Sequence, residues 1–297
     1  MARQSPPRPG DPRLPRAERL VDLHCHTCFS DGLFTPEQLI ERARWLGLAA
    51  VGVTDHDTVA GLERALASGR KAGVEVVPGV EMSCIADGVD VHMLGYFLDF
   101  ADPEVTGLFD KLFAAREERA RRMVEKLQAS GLAVSWEAVA KAAGGAAVGR
   151  PHVAQAMVEA KVVASNEEAF QRWIGFDAPA YVAKYRLSPE EAVGFIKGHR
   201  GIAVVAHPGI YRREAALYST IAAGVDGLEA WHPDHSPGDT DRIVELARKN
   251  RLLLTGGGDC HGGRKKGKIY LGEVAVPYRY LAALKRLSRQ RRAVDLG

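Results

Sequence analysis

Short apolar segments that each end in a polar cluster recur along the chain. Seven of them are four to seven residues long, the length of ordinary strands, and stretches with helical periodicity lie between several of them. Strands that alternate with helices form parallel βα units, and a barrel of such units carries its functional residues at the strand ends. We therefore predict an α/β fold with a barrel-like sheet. The predicted strands are Arg19–Leu23, Leu48–Val53, Val74–Val80, Val91–Phe97, Gly201–Ala206, Val225–Ala230 and Leu252–Thr255.

Two of these strands break the parallel pattern. Only a short polar turn joins Val74–Val80 to Val91–Phe97, and so short a connection predicts an antiparallel pair and an irregular barrel. Helix starts are marked by Thr35 and Ser188, each followed by a proline and an acidic residue, which is typical of a capped N-terminus. The further helices predicted around the barrel are Asp57–Ala72, Ala192–His199, Thr240–Asn250 and Pro277–Arg292.

Residues 101–187 interrupt the alternation of strands and helices. A long charged helix opens this segment and three shorter helices follow. We predict that residues 20–100 and 188–297 form the barrel, and that 101–187 is a helical insertion that caps the site and selects the substrate. Residues 1–19, rich in proline and arginine, are predicted to be a disordered tail. The predicted helices of the insertion are Pro103–Gly131, Ser135–Ala143, Pro151–Ala160 and Asn166–Trp173.

Composition narrows the possible functions. The chain has 297 residues, 46% of them apolar, which is enough for one large domain with an insertion. The net charge of +3 does not indicate nucleic-acid binding by the whole surface, and no apolar run reaches the ~18 residues of a membrane helix. We expect no secretory signal, because the N-terminal residues lack an apolar core. The four cysteines form no paired zinc-ribbon motif, so we predict reduced thiols and a cytoplasmic location.

Histidines and acids collect at the predicted strand ends. Side chains alternate along a strand, so His24 and His26 face one way and Cys25 faces the other. Asp259 and His261 repeat this spacing near the other end of the chain. Imidazole and carboxylate groups bind divalent transition metals, and scattered surface histidines would not concentrate at strand ends, so we predict a metal site. The candidate ligands are His24, His26, Asp31, His56, Glu81, His92, His207, Asp259 and His261.

Other charged residues have more modest interpretations. We predict that Asp55 and Asp57 either orient His56 from behind or cap the helix that follows. Basic residues that follow or face the site are interpreted as solvated loop charges, with contacts to the substrate as the alternative. These are Lys184, Arg186, Arg264, Lys265 and Lys266.

Taken together, these residues resemble the polymerase and histidinol phosphatase (PHP) family. The resemblance covers about 20–100 and 188–265 of this chain. It implies a distorted (β/α)7 barrel that holds a trinuclear centre of manganese, iron or zinc. The matching motifs are Asp22-Leu-His-Cys-His-Thr, Ser30-Asp-Gly, Thr54-Asp-His-Asp, Pro78-Gly-Val-Glu81, His92-x-Leu-Gly-Tyr, Ala206-His-Pro-Gly and Gly258-Asp-Cys-His-Gly.

The resemblance also implies how the ligands are shared. Glu81 would bridge two metals, so that it belongs to two of the three ligand sets. The sets are His24, His26, Glu81 and Asp259 for the first metal, Glu81, His92 and His207 for the second, and Asp31, His56 and His261 for the third.

One motif in the insertion points to a branch of that family. Gly149-Arg150-Pro-His152 resembles a motif of enzymes that hydrolyse nucleotide phosphates, among them nucleoside 3′,5′-bisphosphate phosphatases and enzymes that trim RNA 5′ ends. Arg150 and His152 would then contact a phosphate, for which an arginine fork is well suited. The alternative for Arg150 is a surface arginine at a helix start. On the barrel side, His235 is preferred over His232 as the histidine near the phosphate.

The predicted function is that of a metal-dependent phosphoesterase acting on nucleotide phosphate monoesters. A metal-bridging hydroxide would attack phosphorus in a nucleoside 3′,5′-bisphosphate or a 5′-nucleotide, and His235 would protonate the leaving alkoxide. A 5′-to-3′ exonuclease on short RNA or DNA is the first alternative. A non-enzymatic metal-binding module is the second, although all nine ligand positions are filled. We expect a nucleotide or short oligonucleotide as partner, and neither a membrane nor a stable protein partner.

Overall fold

A computed structural model describes residues 19–144, 148–183, 185–211, 213–263 and 267–294. The predicted N-terminal tail, apart from Arg19, lies outside the described residues. The chain divides into two compact units, one comprising the residues up to Thr106 and from Arg186 onward, the other Gly107–Tyr185.

The first unit is built on one eight-stranded sheet in the order β7-β6-β5-β4-β3-β2-β1-β8. The pairs β1–β2, β2–β3, β5–β6 and β6–β7 are parallel, whereas β3–β4, β4–β5 and β1–β8 are antiparallel. The predicted α/β class and the irregular antiparallel pair are thus confirmed. The strands are β1 (Leu20–Cys25), β2 (Ala50–Val53), β3 (Glu75–Ala86), β4 (Val89–Tyr96), β5 (Ile202–Val205), β6 (Gly227–Trp231), β7 (Leu253–Gly256) and β8 (Val276–Pro277).

The two ends of the sheet meet beside the candidate ligands. The residues that follow β7 run alongside β1, where the backbone nitrogen of His26 donates to the carbonyl of Cys260 over 2.9 Å. Glycine is required here, because a Cβ at Gly257 would lie 2.5 Å from the backbone nitrogen of His24. The sheet is therefore a nearly closed barrel, as the predicted distorted (β/α)7 arrangement requires. The short strand β8 was not predicted.

Helices surround the barrel and form the second unit. Thr35 and Ser188 cap α1 and α7 with capping boxes, as predicted. Helix α2 begins later than predicted, because Asp57 has a left-handed φ of 52° that no helix continues through. The helices are α1 (Pro36–Trp45), α2 (Leu62–Ala72), α3 (Pro103–Ala129), α4 (Trp136–Ala143), α5 (Arg150–Glu159), α6 (Asn166–Ala169), α7 (Pro189–Gly198), α8 (Glu214–Ala222), α9 (Pro237–Asn250) and α10 (Arg279–Val294).

Helix α8 was not predicted from the sequence. Its N-cap position is Arg213, whose side chain makes no capping hydrogen bond, so the start lacks the Ser, Thr, Asp or Asn that marks α1 and α7. Conversely, the last helix predicted in the insertion ends early: α6 passes into a π-helical turn over Phe170–Ile174.

Each unit has its own apolar core. In the barrel, residues such as Leu23, Tyr96 and Val204 form one fully buried cluster. The second unit packs Leu127 and Met157 into a separate cluster. Because residues 107–185 have an apolar core of their own, they can form a helical unit that needs no barrel strand for its packing. The role of this unit as a substrate cap stays a prediction.

Candidate metal centre

The end of β1 brings two imidazoles to the first candidate metal group. His24 and His26 are both fully buried and face the same way, and each places Nε2 3.2 Å from Oε2 of Glu81 on β3. Oδ1 of Asp259 lies 3.1 Å from Nε2 of His26 and 3.6 Å from that of His24. Ligand atoms of all four residues lie within 4.8 Å of one another. This is the set predicted for the first metal.

The carboxylate of Glu81 is at the centre of a larger cluster. Its Oε1 lies 2.8 Å from Nδ1 of His92 and 3.0 Å from Nε2 of His207. Its Oε2 lies 3.1 Å from Nδ1 of His56, in addition to the contacts with His24 and His26. Five imidazoles thus meet one fully buried carboxylate, a geometry suited to a carboxylate shared between metals.

A third group lies around Asp31, in the loop after β1. Its Oδ1 is 3.2 Å from Nε2 of His261, and its Oδ2 is 3.9 Å from Nε2 of His56. Ligand atoms of these three residues and of His26 lie within 4.8 Å of one another. The structure therefore adds His26 to the predicted third set. His26 belongs to both the first and the third group of ligand atoms.

All nine predicted ligands are brought together at one end of the barrel. Seven of them line a cavity of ≈ 360 Å³, together with the aliphatic side chain of Ile210. The two ligands that do not line it, His24 and His26, are fully buried. The seven are Asp31, His56, Glu81, His92, His207, Asp259 and His261.

Several buried polar atoms of this cluster suit a cation better than a hydrogen bond. Within the described ranges, both ring nitrogens of His26, Oδ1 of Asp31 and Nδ1 of His56 and His207 are buried without a hydrogen-bond partner. Buried polar atoms are otherwise nearly always paired, so orphaned donors and acceptors in an oxygen- and nitrogen-rich cluster fit metal coordination.

The backbone is also strained at two candidate ligands. His207 and Asp259 have left-handed φ values of 31° and 46°, which residues with a Cβ seldom adopt. Such strain persists only where the surrounding structure enforces it, and it concentrates at functional sites.

Electrostatics keep the acids ionised. Burial by itself raises the pKa of Glu81, but the surrounding imidazoles hold it well below the usual value, and Asp259 behaves in the same way. Burial lowers the pKa of His26, yet the adjacent carboxylates of Asp259 and Glu81 outweigh it and raise the value to about 10. In contrast, burial lowers the pKa of His56 to about 3. Carboxylates are therefore available as ligands at neutral pH.

Glu229 on β6 is a functional residue that was missed. It is fully buried, and its Oε1 accepts from Nδ1 of His24 over 3.0 Å, while Oε2 accepts from the backbone nitrogen of His207 over 2.8 Å. With the proton of His24 on Nδ1, its Nε2 lone pair faces Glu81 and Asp259, an arrangement that a cation stabilises. The sequence did contain a signal for this role, because Glu229 is an acidic residue inside the otherwise apolar strand β6, where a charge needs a partner.

The two acids beside His56 have structural contacts of their own. Asp55 accepts from the backbone nitrogen and hydroxyl of Thr27, over 2.7 and 2.6 Å, and from the hydroxyl of Ser30. It thereby holds the loop that carries Asp31. Asp57 accepts from the backbone nitrogen of Ser83 over 2.8 Å. The helix-cap interpretation of Asp55 and Asp57 is wrong, because α2 begins after Gly61.

The two histidines after β6 have different contacts. Nδ1 of His235 donates to the carbonyl of Ala230 over 2.9 Å, and its Nε2 accepts from the backbone nitrogen of Gly209 over 3.0 Å. In this arrangement Nε2 carries no proton, because it accepts a backbone N–H, and the role of His235 as a proton donor stays a prediction. His232 is buried, and its Nε2 lies 3.3 Å from Oδ2 of Asp259, so it is the one beside the candidate ligands.

The candidate substrate residues of the insertion lie in the second unit. Arg150 opens α5, with its guanidinium 5.4 Å from the ring centre of Phe170. His152 is buried, and its Nδ1 accepts from the backbone nitrogen of Gly149 over 3.1 Å. Their contacts with a phosphate stay predictions. Of the basic loop residues, Arg186 forms an ion pair with Asp90 over 2.7 Å. Lys184, Arg264, Lys265 and Lys266 lie outside the described residues.

Comparisons with known proteins agree with this geometry. A family model described as the PHP domain matches residues 22–193. The 3′,5′-nucleoside bisphosphate phosphatase of Chromobacterium violaceum is 33% identical over 257 residues, covering 83% of this chain and 90% of that protein. The 5′-3′ exoribonuclease Rnm of Salmonella typhimurium is 31% identical over 249 residues, covering 82% of this chain and 85% of that protein.

A solved structure is similar along nearly the whole chain. It is that of a Bifidobacterium adolescentis protein described as a metal-dependent phosphoesterase, with 34% sequence identity and a TM-score of 0.79. The match covers 90% of this chain and 96% of that one. In the part of the chain that the structure describes, no helix has the length and apolar character needed to cross a membrane.

Proposed function

The chain belongs to the PHP-domain family and hydrolyses phosphoester bonds, and on this basis we propose that its substrates are nucleotides. The proposed reaction removes a phosphate from nucleoside 3′,5′-bisphosphates or 5′-nucleotides. One observation carries the proposal: five imidazoles surround the buried carboxylate of Glu81 at the mouth of the barrel. A phosphatase that is 33% identical and acts on nucleoside bisphosphates supports the substrate class.

The proposed centre holds three divalent ions of manganese, iron or zinc. Bound metals of this kind lower the pKa of a coordinated water and neutralise charge on phosphate oxygens. Glu81 would take part in two of the three sites and His26 would adjoin two as well. The first proposed set is His24, His26, Glu81 and Asp259. The second is Glu81, His92 and His207, with His56 nearby. The third is Asp31, His56 and His261.

The residues of the chain position these ligands and admit the phosphate. Glu229 fixes the tautomer of His24, and His232 donates from Nε2 to Asp259, since its Nδ1 accepts from the backbone nitrogen of Asp234. The side chains of Asp31 and His92 are 30% and 27% exposed, whereas those of His24 and His26 are fully buried. The substrate phosphate would therefore enter on the side of Asp31 and His92.

A panel of substrates assayed with manganese tests this function. We expect release of inorganic phosphate from adenosine 3′,5′-bisphosphate at a higher kcat/KM than from p-nitrophenyl phosphate. Asp259→Asn, which removes a carboxylate charge from the centre, serves as the inactive control. Turnover of neither ester by the metal-loaded protein would contradict the proposal and would favour the metal-binding module.

The same panel addresses the alternative of a 5′-to-3′ exonuclease, which the Salmonella typhimurium relative supports. A 5′-phosphorylated RNA pentamer should be included. Mononucleotides released one at a time from its 5′ end, at a higher kcat/KM than phosphate release from the bisphosphate, would favour the exonuclease. We also propose a cytoplasmic location, supported by four cysteines that are all free thiols.

A further inference from the structure

A second cavity adjoins the metal centre within the barrel unit. Its volume is ≈ 450 Å³, and it shares three wall residues with the first cavity: His92, His207 and Ile210. Its remaining wall comes from Gly88 in the β3–β4 turn, from Val89 and Asp90 at the start of β4, and from Tyr211 and Arg213 in the loop before α8. A molecule whose phosphate lies against His92 and His207 would thus have room for its other groups on the far side of these histidines.

Tyr211 makes the floor of this cavity rigid. Its hydroxyl accepts from the backbone nitrogen of His92 over 3.1 Å and donates to the carbonyl of Ala206 over 2.8 Å. The ring is therefore fixed beside two candidate ligands. Ile210 is 45% exposed, and its aliphatic side chain lines both cavities. An aliphatic side chain and an aromatic ring offer the apolar surface that a nucleobase or ribose can cover.

Arg213 brings a positive charge to the same cavity. It is exposed, and its Nη1 donates to the backbone carbonyl of Asp87 over 3.2 Å, but within the described ranges it forms no ion pair. The acids near it are engaged: Asp90 pairs with Arg186, and Asp87 accepts from the hydroxyl of Ser219 over 2.8 Å. A guanidinium has five donors, so one contact with a carbonyl leaves a fork for an anion.

We propose that this second cavity binds the leaving group of the substrate and that Arg213 binds its second anion. The inference rests on the proposed function, because it assumes that the reacting phosphate lies at the metal centre. The second anion would be the other phosphate of a nucleoside bisphosphate or the next linkage of an oligonucleotide. The barrel would then recognise the nucleotide with its own residues, whereas the sequence predicts that Arg150, in the second unit, contacts a phosphate.

The test compares two substrates in matched variants of the full-length, manganese-loaded protein. Adenosine 3′,5′-bisphosphate has a second anion and p-nitrophenyl phosphate does not, so the ratio of their kcat/KM values isolates the second contact. Arg213→Ala should lower this ratio about ten- to a hundredfold, and Arg213→Glu should lower it further. Arg248→Ala is the control, because Arg248 is exposed and pairs only locally with Glu245 on α9.

Each outcome decides between the proposals. A ratio unchanged in both Arg213 variants, in a protein that still hydrolyses both esters, would overturn the subsite and leave the proposed function intact. A loss confined to Arg150→Ala would overturn it too, and would assign the second anion to the second unit. A wild-type protein that hydrolyses neither ester would overturn the proposed function and the subsite with it.

Discussion

The carboxylate of Glu229 joins two candidate ligands that come from different strands. One oxygen lies 3.0 Å from Nδ1 of His24 at the end of β1, and the other lies 2.8 Å from the backbone nitrogen of His207 after β5. Because Glu229 is fully buried, it orients both residues without competition from water. It acts on the metal centre through the ligands that it orients.

Replacing Glu229 should therefore weaken metal binding. We expect Glu229→Gln to lower manganese affinity about ten- to a hundredfold, because the neutral amide no longer stabilises the Nδ1–H tautomer of His24 as well. Calorimetric titration of metal-free protein with manganese measures this. Glu245→Gln, at an exposed acid of α9, is the matched control. Equal affinities in the two variants would show that Glu229 serves only the packing of the barrel.

The metal content itself is a separate prediction. Three overlapping groups of ligand atoms, each within 4.8 Å, imply more than one bound ion. Protein purified without chelator should contain about two to three transition metals per chain. Elemental analysis of the metals, divided by the protein concentration, gives the number of ions per chain. A folded, active sample that holds a single ion would contradict the trinuclear centre.

The alternation along the strand ends predicts opposite effects for neighbouring residues. His26→Ala and Asp259→Asn should abolish turnover and reduce metal content, with the fold retained. Cys25 and Cys260 are buried on the other face. Their serine variants should keep the metals but lose about 1–3 kcal/mol of unfolding free energy, because a buried hydroxyl is left unpaired. Metal analysis and thermal unfolding distinguish the two classes. Metal loss in the cysteine variants alone would contradict the assignment of faces.

Metal binding should also depend on pH. In the metal-free protein the pKa of His26 is raised to about 10, so this imidazole holds a proton throughout the neutral range. A ligand must lose that proton to bind metal. Manganese affinity should therefore rise with pH between 6 and 9, by up to about tenfold per pH unit for one released proton.

Titration in two buffers with different ionisation enthalpies would measure the released proton directly. His26→Ala removes one titrating group and should reduce this dependence for whatever metal the variant still binds. Some dependence should remain, because Glu229 and Glu81 also hold the pKa of His24 well above its usual value. A wild-type affinity that is independent of pH would contradict the protonation of His26.

Much of the site was predictable because it follows from local periodicity. Alternation on a strand fixes the common face of His24 and His26 whatever the rest of the chain does. The rule that barrel strands present functional groups at their ends then accounts for His207, which follows β5. Glu81 was also predicted to follow a strand, but β3 continues past it to Ala86. Both arguments use only the positions of residues within an element.

Contacts between elements were not predictable in this way, because they depend on register. The pairing of β1 with β2 shifts between Asp22 and Cys25, and that of β6 with β7 shifts between Glu229 and Trp231. Such irregularities decide which side chains meet across strands, and no pattern within one strand encodes them. The contact of Glu229 with His24 was missed for this reason. The contact of His232 with Asp259 was not predictable either, because it depends on the turn after β6.

The closure of the barrel has a consequence for biosynthesis. The backbone nitrogen of Gly258 donates to the carboxylate of Asp22 across 236 positions of sequence. During translation His24 and His26 leave the ribosome long before Asp259 and His261 exist. The first and third ligand sets therefore remain incomplete until the carboxyl-terminal part of the chain arrives, and such distant contacts form late in folding. Metal binding by these two ligand sets would therefore have to follow synthesis of the carboxyl-terminal residues, and it would connect the two ends of the sheet.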